Sequence, residues 1–256
     1  MRAVEIDQQG AGPDLLLIHS LLTELTVFDG VVPGLARTRR VTRINLPGFG
    51  KSAPVELNSL AEHAAHVANV MRELKLSPGT EVFGNGFGAF VALQLALDHG
   101  AKFGPLVVAD ALAAFPEPAR APFRNMAQAV RSKGMEAVLD TAIGRMLPPG
   151  FQEKYPQSVM ERKQHLKTVD AACFARACLA LAEMDLTPRL ASLEKPTLVM
   201  CGALDQTTPP ALARELAAKI PRARYREIPD SGHCPMLEQP QALVAFMMEF
   251  LDAPHG

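Results

Sequence analysis

Residues 81–99 constrain the fold more tightly than any other stretch of the chain. Residues 81–83 (EVF) read as a short strand that runs into Gly84-Asn85-Gly86-Phe87-Gly88. The helix that follows, to about residue 99, is apolar nearly all round: Ala89, Phe90, Val91, Ala92, Leu93, Leu95, Ala96 and Leu97. A helix with no polar face has no solvent side and must be covered by other structure. Small residues at alternate positions let a strand and a helix meet in a sharp turn. Such a unit belongs to an α/β architecture with a mostly parallel sheet.

The rest of the chain agrees. Residues 14–20 (DLLLIHS), 40–46 (RVTRINL), 105–109, 197–201 and 224–228 read as further strands. Helices are expected over 59–76, 210–219 and 240–251. Ser59 and Glu62 make a capping box at the start of the first of these, and Pro78-Gly79 stop it. From about residue 115 to 190 the strand pattern disappears. Several amphipathic helices take its place, with a break at Pro148-Pro149-Gly150. The expected division is a core of 1–114 and 191–256 carrying a helical cap of 115–190.

Length and composition remove several classes of function. A chain of 256 residues buries enough surface to need no staples. Its formal net charge is −1 with Lys and Arg scattered, which argues against nucleic acid or an anionic membrane as partner. No apolar run approaches the ~18 residues of a membrane span. The opening Met1-Arg2-Ala3-Val4-Glu5 has no apolar signal segment. Cys173, Cys178, Cys201 and Cys234 form no CxxC pair and no metal-ligand spacing with the histidines. Reduced thiols in a cytoplasmic protein without a metal are the expectation.

Three segments carry the chemistry. The glycine turn at 84–88 is the first. The second is Asp205, just after a strand, in Gly202-Ala203-Leu204-Asp205 ahead of Thr208-Pro209. The third is Ser231-Gly232-His233, again just after a strand. Turn, acid, histidine is the chain order of one serine-triad fold and differs from the others. All three fall at the carboxyl ends of strands, where open parallel sheets form a crevice. Asp205 is expected to accept the Nδ1 proton of His233, and His233 to act as general base. Asp110, at another strand end, is a rival for the acid.

At these residues the chain resembles the α/β-hydrolase family along nearly its whole length. Ile18-His19-Ser20-Leu21 looks like the family's oxyanion loop, usually His-Gly. Asn45-Leu46-Pro47-Gly48-Phe49-Gly50-Lys51-Ser52 looks like its Asp-x-Pro-Gly-x-Gly-x-Ser stretch, with Asn45 in place of the usual Asp. Residues 195–202 and 233–240 look like its acid and histidine segments. The Ser-Leu after the oxyanion strand and the compact cap are similar to 3-oxoadipate enol-lactonases, with meta-cleavage-product hydrolases close in layout. The resemblance implies hydrolysis of a small organic ester, enol-lactone or C–C bond, with a small-molecule substrate and no cofactor or metal. It implies an oxyanion hole made by the backbone N–H groups of Leu21 and Phe87. Ser20 either touches substrate, as a hydroxyl residue does in the related hydroxynitrile lyases, or bonds within its own loop. His19 is expected to bond its own loop, and His63, His66, His99, His165 and His255 to lie at the surface.

Gly86 departs from the pattern: the family's G-x-S-x-G turn has its nucleophilic serine there. Cys234, beside His233, is a poor replacement because its side chain should point elsewhere. Three explanations stay open. His233 activates water or takes a substrate proton without a serine; the protein is an inactive member that only binds a small ligand; or it is an engineered nucleophile knockout. A different class is a dinucleotide-binding oxidoreductase, because Gly84-Asn85-Gly86-Phe87-Gly88-Ala89 also fits G-x-G-x-x-G/A, with Asp110 as the ribose acid.

Overall fold

The computed structural model describes residues 3–100 and 103–255. Met1 and Arg2, which carry part of the N-terminal reading, and Gly256, at the end of the expected core, lie outside the described residues. Seven strands form one sheet: β1 (Ile6–Gln9), β2 (Asp14–Ile18), β3 (Arg40–Ile44), β4 (Glu81–Asn85), β5 (Leu106–Ala109), β6 (Thr197–Gly202) and β7 (Ala223–Ile228). Their spatial order is β1-β3-β2-β4-β5-β6-β7. All pairings are parallel except that of β1 with β3. The helices are α1 (Val32–Leu35), α2 (Leu60–Glu73), α3 (Phe87–His99), α4 (Glu117–Lys133), α5 (Leu139–Met146), α6 (Pro149–Lys154), α7 (Pro156–Lys167), α8 (Ala171–Glu183), α9 (Pro210–Lys219), α10 (Pro235–Glu238) and α11 (Pro240–Leu251). This is the expected α/β class: a mostly parallel sheet flanked by helices, with a helical insertion. Among the described residues no helix is long and apolar enough to cross a membrane.

Burial explains the strand pattern. β2, β4, β5 and β6 are buried at every residue, so they read as continuous apolar runs without alternation. β7, at one edge, is mostly less buried and alternates. β1, at the other edge, is short and largely exposed (IDQQ), so it carries no apolar signal in the sequence. α3 is buried from Phe87 to Ala96, as its missing polar face required. β2 and β3 each stop two residues before the expected ends, because His19-Ser20 and Asn45-Leu46 leave the sheet as loops. The capping box at α2 is also altered. Ser59 Oγ accepts from Glu62 N at 3.2 Å, but Glu62 Oε2 accepts from Asn58 N at 2.6 Å instead of closing on Ser59.

The topology places the site. From β2 the chain first moves to β3 on one side, then crosses to β4 on the other. Such a reversal leaves a crevice at the carboxyl ends of the two central strands. β2 and β4 pair in register with Ile18 opposite Gly84. Residues 20 and 86 lie two positions past that pair, so both enter the same crevice. The helical insertion α4–α8 lies between β5 and β6, and its ends meet at an isolated bridge between Ala114 and Asp185. Buried Arg162 on α7 donates to Glu24 Oε1 at 3.0 Å and Thr26 Oγ1 at 2.9 Å, which ties the insertion to the chain just after β2.

Candidate active site

Gly86 is the hinge between β4 and α3. Its φ is +52° and ψ −117°, a region that side chains disfavour and glycine tolerates. Its N–H donates to Ala109 O at 3.0 Å, and its carbonyl accepts from Ala89 N at 2.9 Å and Phe90 N at 3.1 Å to start the helix. Gly88 is required by contact: a Cβ there would collide with Ile18 O and sit 2.6 Å from His19 O.

The structure brings Asp205 and His233 together from loops 28 residues apart, with His233 Nδ1 2.8 Å from Asp205 Oδ2. Asp205 Oδ2 also accepts from Thr208 Oγ1 at 2.5 Å, and Oδ1 from Thr207 N at 2.7 Å and Thr208 N at 3.2 Å. Burial pushes the Asp205 carboxyl up, but the charge of His233 and the hydrogen bonds from His233 and Thr208 outweigh it and hold it at about 2. An ionised carboxylate only accepts, so Nδ1 carries the proton and Nε2 keeps a free lone pair. Nε2 makes no hydrogen bond to any described residue, and it lies 3.0 Å from the point where a Cβ on Gly86 would stand.

Asp110 is not the partner of His233. Its oxygens accept from Gly202 N at 2.9 Å and Asn85 Nδ2 at 2.7 Å, so it joins the ends of β4, β5 and β6. Burial raises its carboxyl well above the usual range, and the neighbouring Asp205 adds to the shift. One ligand atom each of Asp110, Asp205 and His233 lie within 4.8 Å of one another, the one such cluster among the described residues. Asp205 is already held there by four hydrogen bonds.

His19 sets the loop after β2. Its Nδ1 bonds Ser20 O at 2.7 Å and its Nε2 accepts from Leu46 N at 3.0 Å; burial lowers its pKa to about 4. The neutral ring therefore donates from Nδ1, as expected of a loop-holding residue, and also fixes the chain after β3. With its carbonyl pinned this way, the Ser20–Leu21 peptide cannot rotate freely. Neither Leu21 N nor Phe87 N donates to any described residue. Both residues line one small cavity of about 30 Å³ together with Ser20, Gly86 and His233. Its other walls are largely apolar, including Phe90, Phe115, Phe123 and Leu181.

Three further placements differ from the sequence expectations or go beyond them. Ser20 does not bond within its loop through its hydroxyl. Its backbone N–H donates to Thr23 Oγ1 at 3.1 Å, while Oγ has no partner among the described residues. A Cβ on Gly86 would collide with Ser20 Oγ and lie 3.0 Å from Ser20 Cβ. His63, expected at the surface, is 4% exposed, with its ring edge-on to Phe87 at 4.9 Å and neither nitrogen bonded. Cys234 is fully buried and its thiol is pushed well up by burial, so it offers no nucleophile.

Sequence reasoning does not single out Arg145, yet it stands at the site. It lines the 30 Å³ cavity and a second one of about 250 Å³ that also reaches His233 and Thr207. Its guanidinium lies 5.3 Å over the Phe123 ring and has no carboxylate partner among the described residues. Burial lowers its pKa. Nothing in the sequence around residue 145 distinguishes it from the many surface arginines.

Comparison with known proteins agrees with the fold. A family model for the alpha/beta hydrolase fold matches residues 13–240. The chain is 28% identical over 253 residues to a pimeloyl-[acyl-carrier protein] methyl ester esterase of Nitrosomonas europaea, covering 96% of this chain and 98% of that protein. It is 28% identical over 257 residues to the polyketide synthase ThaQ of Burkholderia thailandensis, covering 97% of this chain but 12% of that much longer protein. The crystal structure of the enol-lactonase from Burkholderia xenovorans LB400 is similar at a TM-score of 0.90 and 25% identity, with 98% of this chain and 96% of that one covered.

Proposed function

The chain belongs to the α/β-hydrolase fold family, and on that premise we propose that it hydrolyses a small ester or enol-lactone that carries an anionic group. The observation that carries this is the Asp205–His233 pair, whose free Nε2 faces the Gly86 turn beside two backbone N–H groups without acceptors. His233 takes a proton from the attacking oxygen, and the charge that develops on the carbonyl oxygen is met by Leu21 N–H and Phe87 N–H. The leaving oxygen then takes the proton back from His233. A positioned base supplies roughly 10²–10⁴-fold, and a preorganised donor roughly 10²–10³-fold.

The relatives named for a methyl ester and an enol-lactone support the bond type. Arg145 supports the anionic group, because a half-buried guanidinium without a carboxylate partner favours a ligand that brings one. Residues 115–190 serve as the cap that covers and selects the substrate, over a core of 1–114 and 191–256. The test is a turnover screen of neutral and carboxylate-bearing esters and lactones, repeated with His233→Ala. Turnover that needs His233 is expected. Turnover indifferent to His233 overturns the general-base mechanism, and a folded protein that binds these compounds without turnover is a ligand-binding member of the fold.

A further inference from the structure

Gly86 removes a hydroxyl from the β4–α3 turn, but the space beside His233 is not without one. The register of β2 and β4 sets residues 20 and 86 side by side across the crevice. A side chain built on Gly86 meets Ser20 Oγ first, then Ser20 Cβ and His233 Nε2, each at 3.0 Å. The gap between the two backbones therefore holds one side chain, and residue 20 supplies it. Three hydroxyls line the small cavity. Thr208 Oγ1 is committed to Asp205 and Thr207 Oγ1 to Arg145 O. Ser20 Oγ alone has no partner among the described residues. Its backbone is anchored on both sides, by Ser20 N to Thr23 Oγ1 and by His19 Nδ1 to Ser20 O.

We propose that Ser20 is the nucleophile of this protein, acting from the loop after β2 in place of a residue at the turn. This rests on the reading of His233 as general base. Ser20 Oγ attacks the carbonyl carbon while its proton passes to His233 Nε2. The bond from that carbon to the leaving oxygen breaks, and the leaving oxygen takes the proton from His233. Water then attacks the acyl-Ser20 ester, giving one proton to His233; the Ser20 ester bond breaks and Ser20 Oγ recovers that proton. The sum is ester plus water to acid plus alcohol, with no other reactant. Catalytic hydrogen bonds commonly close only on substrate binding, and Ser20 Oγ and His233 Nε2 both border the same point over Gly86.

The experiment treats the intact protein with a fluorophosphonate and maps the adduct by peptide mass spectrometry. In parallel, p-nitrophenyl acetate turnover is followed in the parent, Ser20→Ala, Ser20→Cys and His233→Ala. The expected result is one adduct on Ser20, absent from Ser20→Ala and His233→Ala, and a turnover loss of roughly 10⁴-fold in Ser20→Ala. Ser20→Cys is expected to gain rapid alkylation by iodoacetamide that requires His233, which keeps the test open if Ser20→Ala does not fold. No adduct on Ser20 in the parent overturns the proposal. Turnover that survives in folded Ser20→Ala but not in His233→Ala also overturns it, and leaves the general-base reading standing with water as the attacker. Turnover that survives both variants overturns the two together.

Discussion

Ser20 and Gly86 share one side-chain position: a Cβ on Gly86 collides with Ser20 Oγ and lies 3.0 Å from Ser20 Cβ. Replacing Gly86 with serine therefore meets two obstacles. The backbone at φ +52° and ψ −117° costs a side chain about 1–3 kcal/mol, and Ser20 must move. Gly86→Ser is expected to fold and to melt lower than the parent. Adding Ser20→Gly is expected to recover part of the loss, with a coupling of about 0.5–3 kcal/mol in a thermal double-mutant cycle. The double variant should be labelled by a fluorophosphonate at position 86. Strictly additive melting shifts would show that the two side chains do not compete.

Arg145 is expected to read charge on the substrate. A hydrogen bond to a charged group is worth about 1.5–3 kcal/mol. Arg145→Ala should raise KM for a carboxylate-bearing ester by roughly 10–100-fold and leave that for its neutral analogue nearly unchanged. Equal losses on both substrates would assign Arg145 to packing on Phe123 instead.

Asp205 is expected to matter for both rate and acid stability. Asp205→Asn keeps the shape but no longer favours the Nδ1–H tautomer of His233, and kcat should fall by roughly 10⁴-fold. The Asp205 carboxyl, at about 2, is held below its ordinary value of 3.8. A lowered folded value stabilises above the unfolded one and is lost as the pH falls towards the folded one. The parent should lose about 2 kcal/mol from this group between about pH 4 and pH 2, a loss that denaturant unfolding of Asp205→Asn would not show.

His63 sets a second pH dependence. Burial, with neighbouring His66, lowers its pKa to about 3. The unfolded chain binds a proton below about pH 6.5 that the folded protein refuses, so stability falls as pH drops below that point. At about pH 5 the cost is about 2 kcal/mol. His63→Leu removes both this cost and two unbonded buried nitrogens. Its melting temperature should exceed the parent's at neutral pH and by a wider margin at about pH 5. A margin that stays constant with pH would show that His63 is not the titrating group.

Much of the fold is legible in the sequence because its signals are local. The central strands are apolar without alternation because both faces are covered, and α3 lacks a polar face for the same reason. The Pro-Gly and Ser-x-x-Glu signals near α2 mark turns and caps that depend on neighbours in sequence. Even so, Glu62 reaches Asn58 instead of Ser59, a choice made by side-chain rotamers within one turn. β1 has no signal because an exposed edge strand needs no apolar pattern. The surface expectation fails for His63 because its ring replaces an apolar side chain against Phe87, and a histidine code does not say which face it takes.

The sequence by itself determined the α/β class, the glycine turn, and the presence of one acid and one histidine after later strands, since each is written in a contiguous stretch. Only the tertiary structure decided that Asp205 rather than Asp110 meets His233, that Arg145 enters the cavity, and that Ser20 fills the space Gly86 leaves. Those relationships join residues far apart in the chain, and the sheet sets them. The register of Ile18 with Gly84 places residue 20 against residue 86, and no local propensity carries a register between strands so widely separated.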